Sequence, residues 1–160
     1  MKDDPTVPAD ARFETRAIHL GQDYRSETGA VIPPIYMTST FESGNPGGFD
    51  YTRSGNPNFR NLQTTLASLE NAQHCTVFAS GVSAISAILF SLKAGDVILS
   101  EQQIYGCTYR LFERIYRPLG IEAVFVDTSD AQAVAAACAD PAVRGLLVES
   151  PTNPILRVAD

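Results

Sequence analysis

A chain of 160 residues, 44% hydrophobic and 19% charged, has ordinary globular composition and enough apolar residue for one domain with a real core. Its formal net charge of −6 argues against a nucleic-acid partner, and it has no run of about 18 apolar residues to span a membrane. Met1-Lys2-Asp3-Asp4-Pro5 lacks the apolar segment of a secretory signal, and Cys75, Cys107 and Cys138 are too few and scattered for a disulfide framework or a zinc site. We therefore expect no metal and a reducing cytoplasm.

Residues from Met1 to about Arg12 are polar and read as a loose arm, and Phe13 to Leu20 as a short helix ended by Gly21. From Gln22 to Pro57 no period is sustained, and Gly and Pro recur at Gly29, Pro33-Pro34, Gly44, Pro46, Gly47-Gly48, Gly55 and Pro57. So long an irregular stretch is unusual inside a compact domain. It carries Ile32, Ile35, Tyr36, Phe41, Phe49 and Tyr51, too many large apolar groups for a solvated linker. We read 1–57 as an extended arm that clasps a partner subunit.

Asn58 to Asn71 places Phe59, Leu62, Leu66 and Leu69 at helical spacing. An alternation follows: a strand at Cys75–Ala79, a buried helix at Val82–Leu92, a strand at Asp96–Ser100 and an amphipathic helix from Tyr105 to Arg117. A strand at Glu122–Val126, an Ala-rich helix at Ala131–Ala139 and a strand at Gly145–Glu149 complete it. This is the pattern of βαβ units, so 58–160 reads as an α/β domain whose mostly parallel sheet is flanked by helices. Ligands of such sheets bind beyond the carboxyl ends of the strands. That rule selects Ser80-Gly81, Glu101 to Tyr105, and Ser150 to Pro154.

At the first of these, Gly81 lets the backbone turn and approach a ligand, while Ser80 and Ser83 set hydroxyls beside the free N–H groups of a helix start. Strand, Ser-Gly corner and helix make a phosphate seat; taken alone, they equally describe a tight turn with Ser80 as N-cap. Tyr105 stands where a helix opens past a strand end, placed to lie flat on a planar ligand or only to cover the helix end. In Ser150-Pro151-Thr152-Asn153-Pro154 two prolines stiffen a loop that holds the Asn153 amide at the same rim, although an Asn-Pro pair is commonly just a turn. Glu149 needs a polar partner if it is buried. In the arm, Tyr51 and Arg53 stand two apart, on one side of an extended segment, and a phenol with an Arg fork suits phosphate oxygens.

In this order these segments resemble the Cys/Met-metabolism family of pyridoxal-phosphate enzymes, the transsulfuration group of fold type I. The resemblance runs from Thr15-Arg16-Ala17-Ile18-His19 to Val158-Ala159-Asp160. Its most specific pieces are Gly29-Ala30-Val31-Ile32-Pro33-Pro34-Ile35-Tyr36, Tyr51-Thr52-Arg53-Ser54-Gly55-Asn56-Pro57, Ala79-Ser80-Gly81, Tyr105-Gly106 and Glu149-Ser150-Pro151-Thr152-Asn153-Pro154. Each is weak alone; five collinear matches are strong. The resemblance implies that Ser80, Gly81, Val82 and Ser83 form the cup for the phosphate of pyridoxal 5′-phosphate, and that Tyr51 and Arg53 reach it from a neighbouring subunit. Tyr105 would stack on the pyridine ring and act in proton transfer, and Asn153 would donate to the ring's 3-oxygen. It also implies a homo-oligomer, a dimer with shared sites assembled into a tetramer, acting on a small amino-acid substrate by β- or γ-elimination or γ-replacement. Within the group the lean is to cystathionine γ-synthase or γ-lyase, with methionine γ-lyase or O-acylhomoserine sulfhydrylase as alternatives.

The chain departs from the family pattern at Val82, where Met is frequent, at Asn58-Phe59, where a Thr-Arg pair is usual, and at Cys107, where many members have Gly. A larger departure is the lysine that links the cofactor covalently. Only Lys2 and Lys93 are present, one in the arm and one at the far end of the cup helix. The family's lysine, its aspartate for the ring nitrogen and its arginine for the substrate carboxylate are expected beyond Asp160. We therefore expect an N-terminal piece of the enzyme, inactive alone, or a truncated cofactor-binding and oligomerisation module. A nicotinamide-dependent oxidoreductase would show a Gly-x-Gly-x-x-Gly turn, which is absent.

Overall fold

The computed structural model describes residues 7, 8, 10–22 and 28–159, and these fall into two compact units, one ending at Val77 and the other beginning at Phe78. Most of the polar arm before Arg12, with Lys2, lies outside the described residues.

In the first unit, helix α1 (Phe13–His19) stops where Gly21 takes φ +80°, a conformation that disfavours a side chain. A Cβ at Gly21 would also come within 2.8 Å of the Asn61 carbonyl. Helix α2 (Pro57–Leu69) starts with Pro57 in its first turn, capped by the Asn56 side chain, which accepts from the Asn58 N–H at 2.9 Å. Arg16 joins the two helices by donating to the Ser68 carbonyl at 2.5 Å and to Asn71 Oδ1 at 3.3 Å. The face of α2 expected in a core is not the buried one: Pro57, Ala67 and Ser68 are buried, whereas Phe59 and Leu62 stay exposed. Small residues let α1 approach closely, and the bulky stripe faces outward from this unit. Residues 28–56 contain no helix, and their strand pairing is a single antiparallel bridge between Thr40 and Tyr51.

The second unit carries a three-stranded, wholly parallel sheet in the order β2-β1-β3, formed by β1 (Val97–Glu101), β2 (Glu122–Val126) and β3 (Val143–Leu147). The central strand β1 is buried at every position, its apolar Val97-Ile98-Leu99 run being followed by the buried polar Ser100 and Glu101. Helix α3 (Gly81–Leu89) leads into β1, while helix α4 (Gly106–Leu111) and helix α5 (Ala131–Ala137) lie in the crossovers from β1 to β2 and from β2 to β3. A core of Leu89, Ile98, Phe112, Tyr116, Ile121 and Ala123 lies between sheet and helices. No helix among the described residues is long and apolar enough to cross a membrane.

Three expectations need correction. Cys75–Ala79 is not a strand: none of its backbone groups joins a ladder among the described residues, and the chain bends at Ala79. The helix expected at Val82–Leu92 begins at Gly81 and buries Leu89 alone, leaving Ile88 and Phe90 exposed. The helix expected from Tyr105 to Arg117 is regular only to Leu111. It continues as a π turn over Phe112–Tyr116 and a 3-10 turn over Arg117–Leu119, where Pro118 removes an N–H donor and Gly120 (φ +81°) closes the segment.

Candidate functional site

Ser80 is the N-cap of α3. Its backbone is extended (φ −154°), its Oγ accepts from the Ser83 N–H at 3.2 Å, and the two hydroxyls lie 2.9 Å apart. Gly81 is the first residue inside the helix and does not take positive φ, so the turn itself does not demand glycine. A Cβ there would meet nothing within 4 Å, and the space above the corner is open. That space is a cavity of about 390 Å³ lined by Ser80, Gly81, Val82, Ile85, Tyr105, Thr108 and Glu149. Two hydroxyls, a helix start and room for close approach fit a phosphate.

Tyr105 precedes α4 and is 42% exposed as a residue, available to a planar ligand. Two residues on, Cys107 accepts a hydrogen bond from Arg110 Nη2 at 3.0 Å. Hydrogen bonding with Tyr105, then with Arg110, pulls the Cys107 thiol below its usual range, and the same contact pushes the Tyr105 phenol up. Thr108, one turn beyond Tyr105, lines the cavity although it is only 1% exposed.

Glu149 follows β3 and answers the question its position posed. Its Oε2 accepts from the Tyr105 N–H at 2.9 Å, and its Oε1 from the Asn153 N–H at 2.8 Å. Asn153 itself is exposed in the 150–154 loop. A second buried cluster lies at the ends of β1 and β2. Glu101, 1% exposed, accepts from the Gln103 N–H at 3.0 Å, the Thr128 N–H at 3.1 Å and the Thr128 hydroxyl. Burial acts to raise the Glu101 carboxyl, but these hydrogen bonds, with the charge of Arg157, outweigh it and hold the group below its ordinary value. Arg157 pairs with Asp127 and donates to Ser129 Oγ at 2.9 Å; its carbonyl accepts from the Thr152 N–H at 2.8 Å, and its own N–H donates to Thr152 Oγ1 at 2.9 Å. Both carboxylates therefore organise loops where the sheet rule places a ligand.

Tyr51 and Arg53 belong to the first unit and form a pair, with the guanidinium 5.0 Å from the centre of the Tyr51 ring. The reason differs from the one expected. The segment is a turn, closed by Ser54 and Gly55 N–H groups donating to the Tyr51 carbonyl, and not an extended strand. Lys93 sits in the turn between α3 and β1, at the opposite end of α3 from Ser80 and before the amino end of the strand. Among the described residues no group of three His, Cys, Asp or Glu side chains is gathered to hold a metal.

Of the site residues read from the sequence, Ser80, Gly81, Val82 and Tyr105 line one cavity, Ser83 bonds to its edge, and Asn153 is tied to Tyr105 through Glu149. Thr108 went unnoticed, though its spacing of three from Tyr105 on a helix puts both on one face. For Glu149 the sequence called for a polar partner but not for the two backbone N–H groups that supply it.

Fold and site together define a parallel α/β protein in which a helix start with two hydroxyls and an aromatic ring line one cavity. A family model described as Cys/Met metabolism PLP-dependent enzyme matches residues 14–160. The probable cystathionine gamma-synthase of Herpetosiphon aurantiacus is 48% identical over 153 residues, covering 94% of this chain and 48% of the relative. Human cystathionine gamma-lyase is 41% identical over 158 residues, covering 96% and 39%. The crystal structure of cystathionine gamma-lyase from Lactobacillus plantarum complexed with L-serine superposes with a TM-score of 0.84 at 37% identity, covering 93% of this chain and 39% of that one. The chain belongs to the Cys/Met-metabolism family of PLP-dependent enzymes. It spans half or less of the length of these relatives.

Proposed function

We propose that this chain is the cofactor-seating part of a pyridoxal-phosphate enzyme that eliminates or replaces groups at the β or γ carbon of sulfur-containing or homoserine-derived amino acids. Cystathionine γ-synthase or γ-lyase is the preferred type. The observation that carries this is the cavity in which the Ser80-Gly81 corner and the exposed Tyr105 ring meet, in a family that depends on this cofactor. Ser80, Gly81, Val82 and Ser83 would hold the phosphate, Tyr105 would cover the ring, and the Asn153 amide would donate to the ring oxygen. When bound, the cofactor supplies an electron sink for the substrate's bonding electrons. The Tyr105 phenol is pushed further above its ordinary value of 10.0, first by the hydrogen bond with Cys107, so it keeps its proton at neutral pH and would act on the protonated side of a transfer.

Tyr51 and Arg53 would serve the site of a second copy. Support comes from the arm, where Val31, Ile32, Ile35 and Met37 are between 71% and 93% exposed and call for a covering surface. The assembly we infer is a homodimer sharing its sites, paired into a tetramer, in a cytoplasm that keeps the three cysteines reduced. As 160 residues the chain binds cofactor without turnover, since Lys93 lies at the wrong end of α3. The test has two arms. Reading the gene downstream should reveal a lysine-bearing continuation, and protein containing it should turn over O-succinylhomoserine, O-acetylhomoserine, cystathionine or methionine. Activity on none of the four, or turnover by the 160 residues alone, would overturn the proposal.

A further inference from the structure

We propose that Glu149 is a positioning residue: its carboxylate fixes the ring-covering Tyr105 and the Asn153 loop at one spacing across the cavity. This rests on the functional reading above. The two residues come from different connections, one after β1 and one after β3, and no ladder bond joins those loops. Glu149 spans them with Oε2 on one N–H at 2.9 Å and Oε1 on the other at 2.8 Å. Hydrogen bonds to an ionised acceptor are the stronger kind, and each oxygen is aimed at one backbone group, so neither loop shifts without breaking one. Because the bonds are to backbone N–H, they set the position of each residue's main chain and leave both side chains free to meet a ligand. Only an acceptor at both ends can do this. Glutamine presents one acceptor oxygen and one NH₂, which would face an N–H, and aspartate is one methylene too short to reach both.

The test uses this chain and pyridoxine 5′-phosphate, which has the phosphate and ring but no aldehyde to react with lysine. Its fluorescence reports binding. Inorganic phosphate, followed by the Ser80 and Ser83 amide shifts, reports the cup alone. Glu149→Gln should weaken pyridoxine 5′-phosphate by roughly tenfold, the scale of one lost charge-assisted hydrogen bond, and leave inorganic phosphate within about twofold. Equal loss of both ligands would mean a general structural role and overturn the positioning role. Unchanged binding of both would overturn it too. If the unaltered chain does not bind pyridoxine 5′-phosphate, the functional reading falls and takes this inference with it. Should the variant fail to fold, amide exchange in the unaltered chain decides: the Tyr105 and Asn153 N–H groups should be protected, and exchange at unprotected rates would overturn the assignment.

Discussion

Ser80 and Gly81 divide the work of the corner between them. Ser80 caps the helix with its Oγ as well as standing in the proposed phosphate cup, so its replacement tests two things at once. Gly81 is cleaner. It needs no positive φ, and a methyl there touches nothing in the protein. Gly81→Ala should leave stability unchanged or raise it by about 0.4–1 kcal/mol through the unfolded chain, while weakening pyridoxine 5′-phosphate several-fold. Urea unfolding and a fluorescence titration measure the two effects; a destabilised variant with full affinity would contradict the cavity. Glu101 gives the pH prediction. Its folded value lies below its ordinary value of 4.5, so the stabilisation is complete above 4.5 and is lost as pH falls through the lower folded value. Glu101→Gln should cost about 1–3 kcal/mol at pH 7 and flatten the acid limb of stability against pH. Urea midpoints between pH 7 and 3 measure both; an unchanged acid limb would show that another group governs it.

Where the chain's own local signals suffice, elements were legible in the sequence. The helix read from Asn58 is α2, which starts one residue earlier at Pro57; the Ala-rich helix read from Ala131 is α5; and β2 coincides with the strand read at Glu122–Val126. What stayed illegible was decided by distant partners. Cys75–Ala79 has strand composition but no ladder neighbour among the described residues, and composition cannot supply one. The π turn at Phe112–Tyr116 is invisible to a 3.6-residue period. It is fixed by packing of Phe112, 1% exposed, and by Tyr116, whose hydroxyl lies 2.8 Å from Ser86 Oγ and donates to the Ser86 carbonyl at 3.0 Å. Of the site, the motif residues were legible because each stands at a strand end or helix start. The bridge through Glu149 was not, since its partners are backbone groups. Tyr116→Phe should remove both bonds to α3 and cost about 1–2 kcal/mol, read as a lower urea midpoint with an unchanged far-UV spectrum. No loss would mean that apolar packing alone holds the π turn against α3.

At the scale of the molecule, the exposed apolar arm and the Tyr51/Arg53 pair make the proposed sharing of sites between copies testable. In protein that carries the lysine, Arg53→Ala should weaken cofactor binding. Mixed with subunits that lack the lysine, it should regain a fraction of activity, since some interfaces then hold both intact contributions. Hybrids without rescue would place Arg53 outside the partner's site. The central claim, that the corner after Ala79 is a cofactor seat, is tested most directly by amide chemical shifts of the ¹⁵N-labelled chain titrated with pyridoxine 5′-phosphate. Saturable shifts centred on Ser80, Gly81, Val82, Ser83 and Tyr105 are expected. Shifts centred elsewhere, or none at ligand concentrations well above the protein's, would contradict the claim.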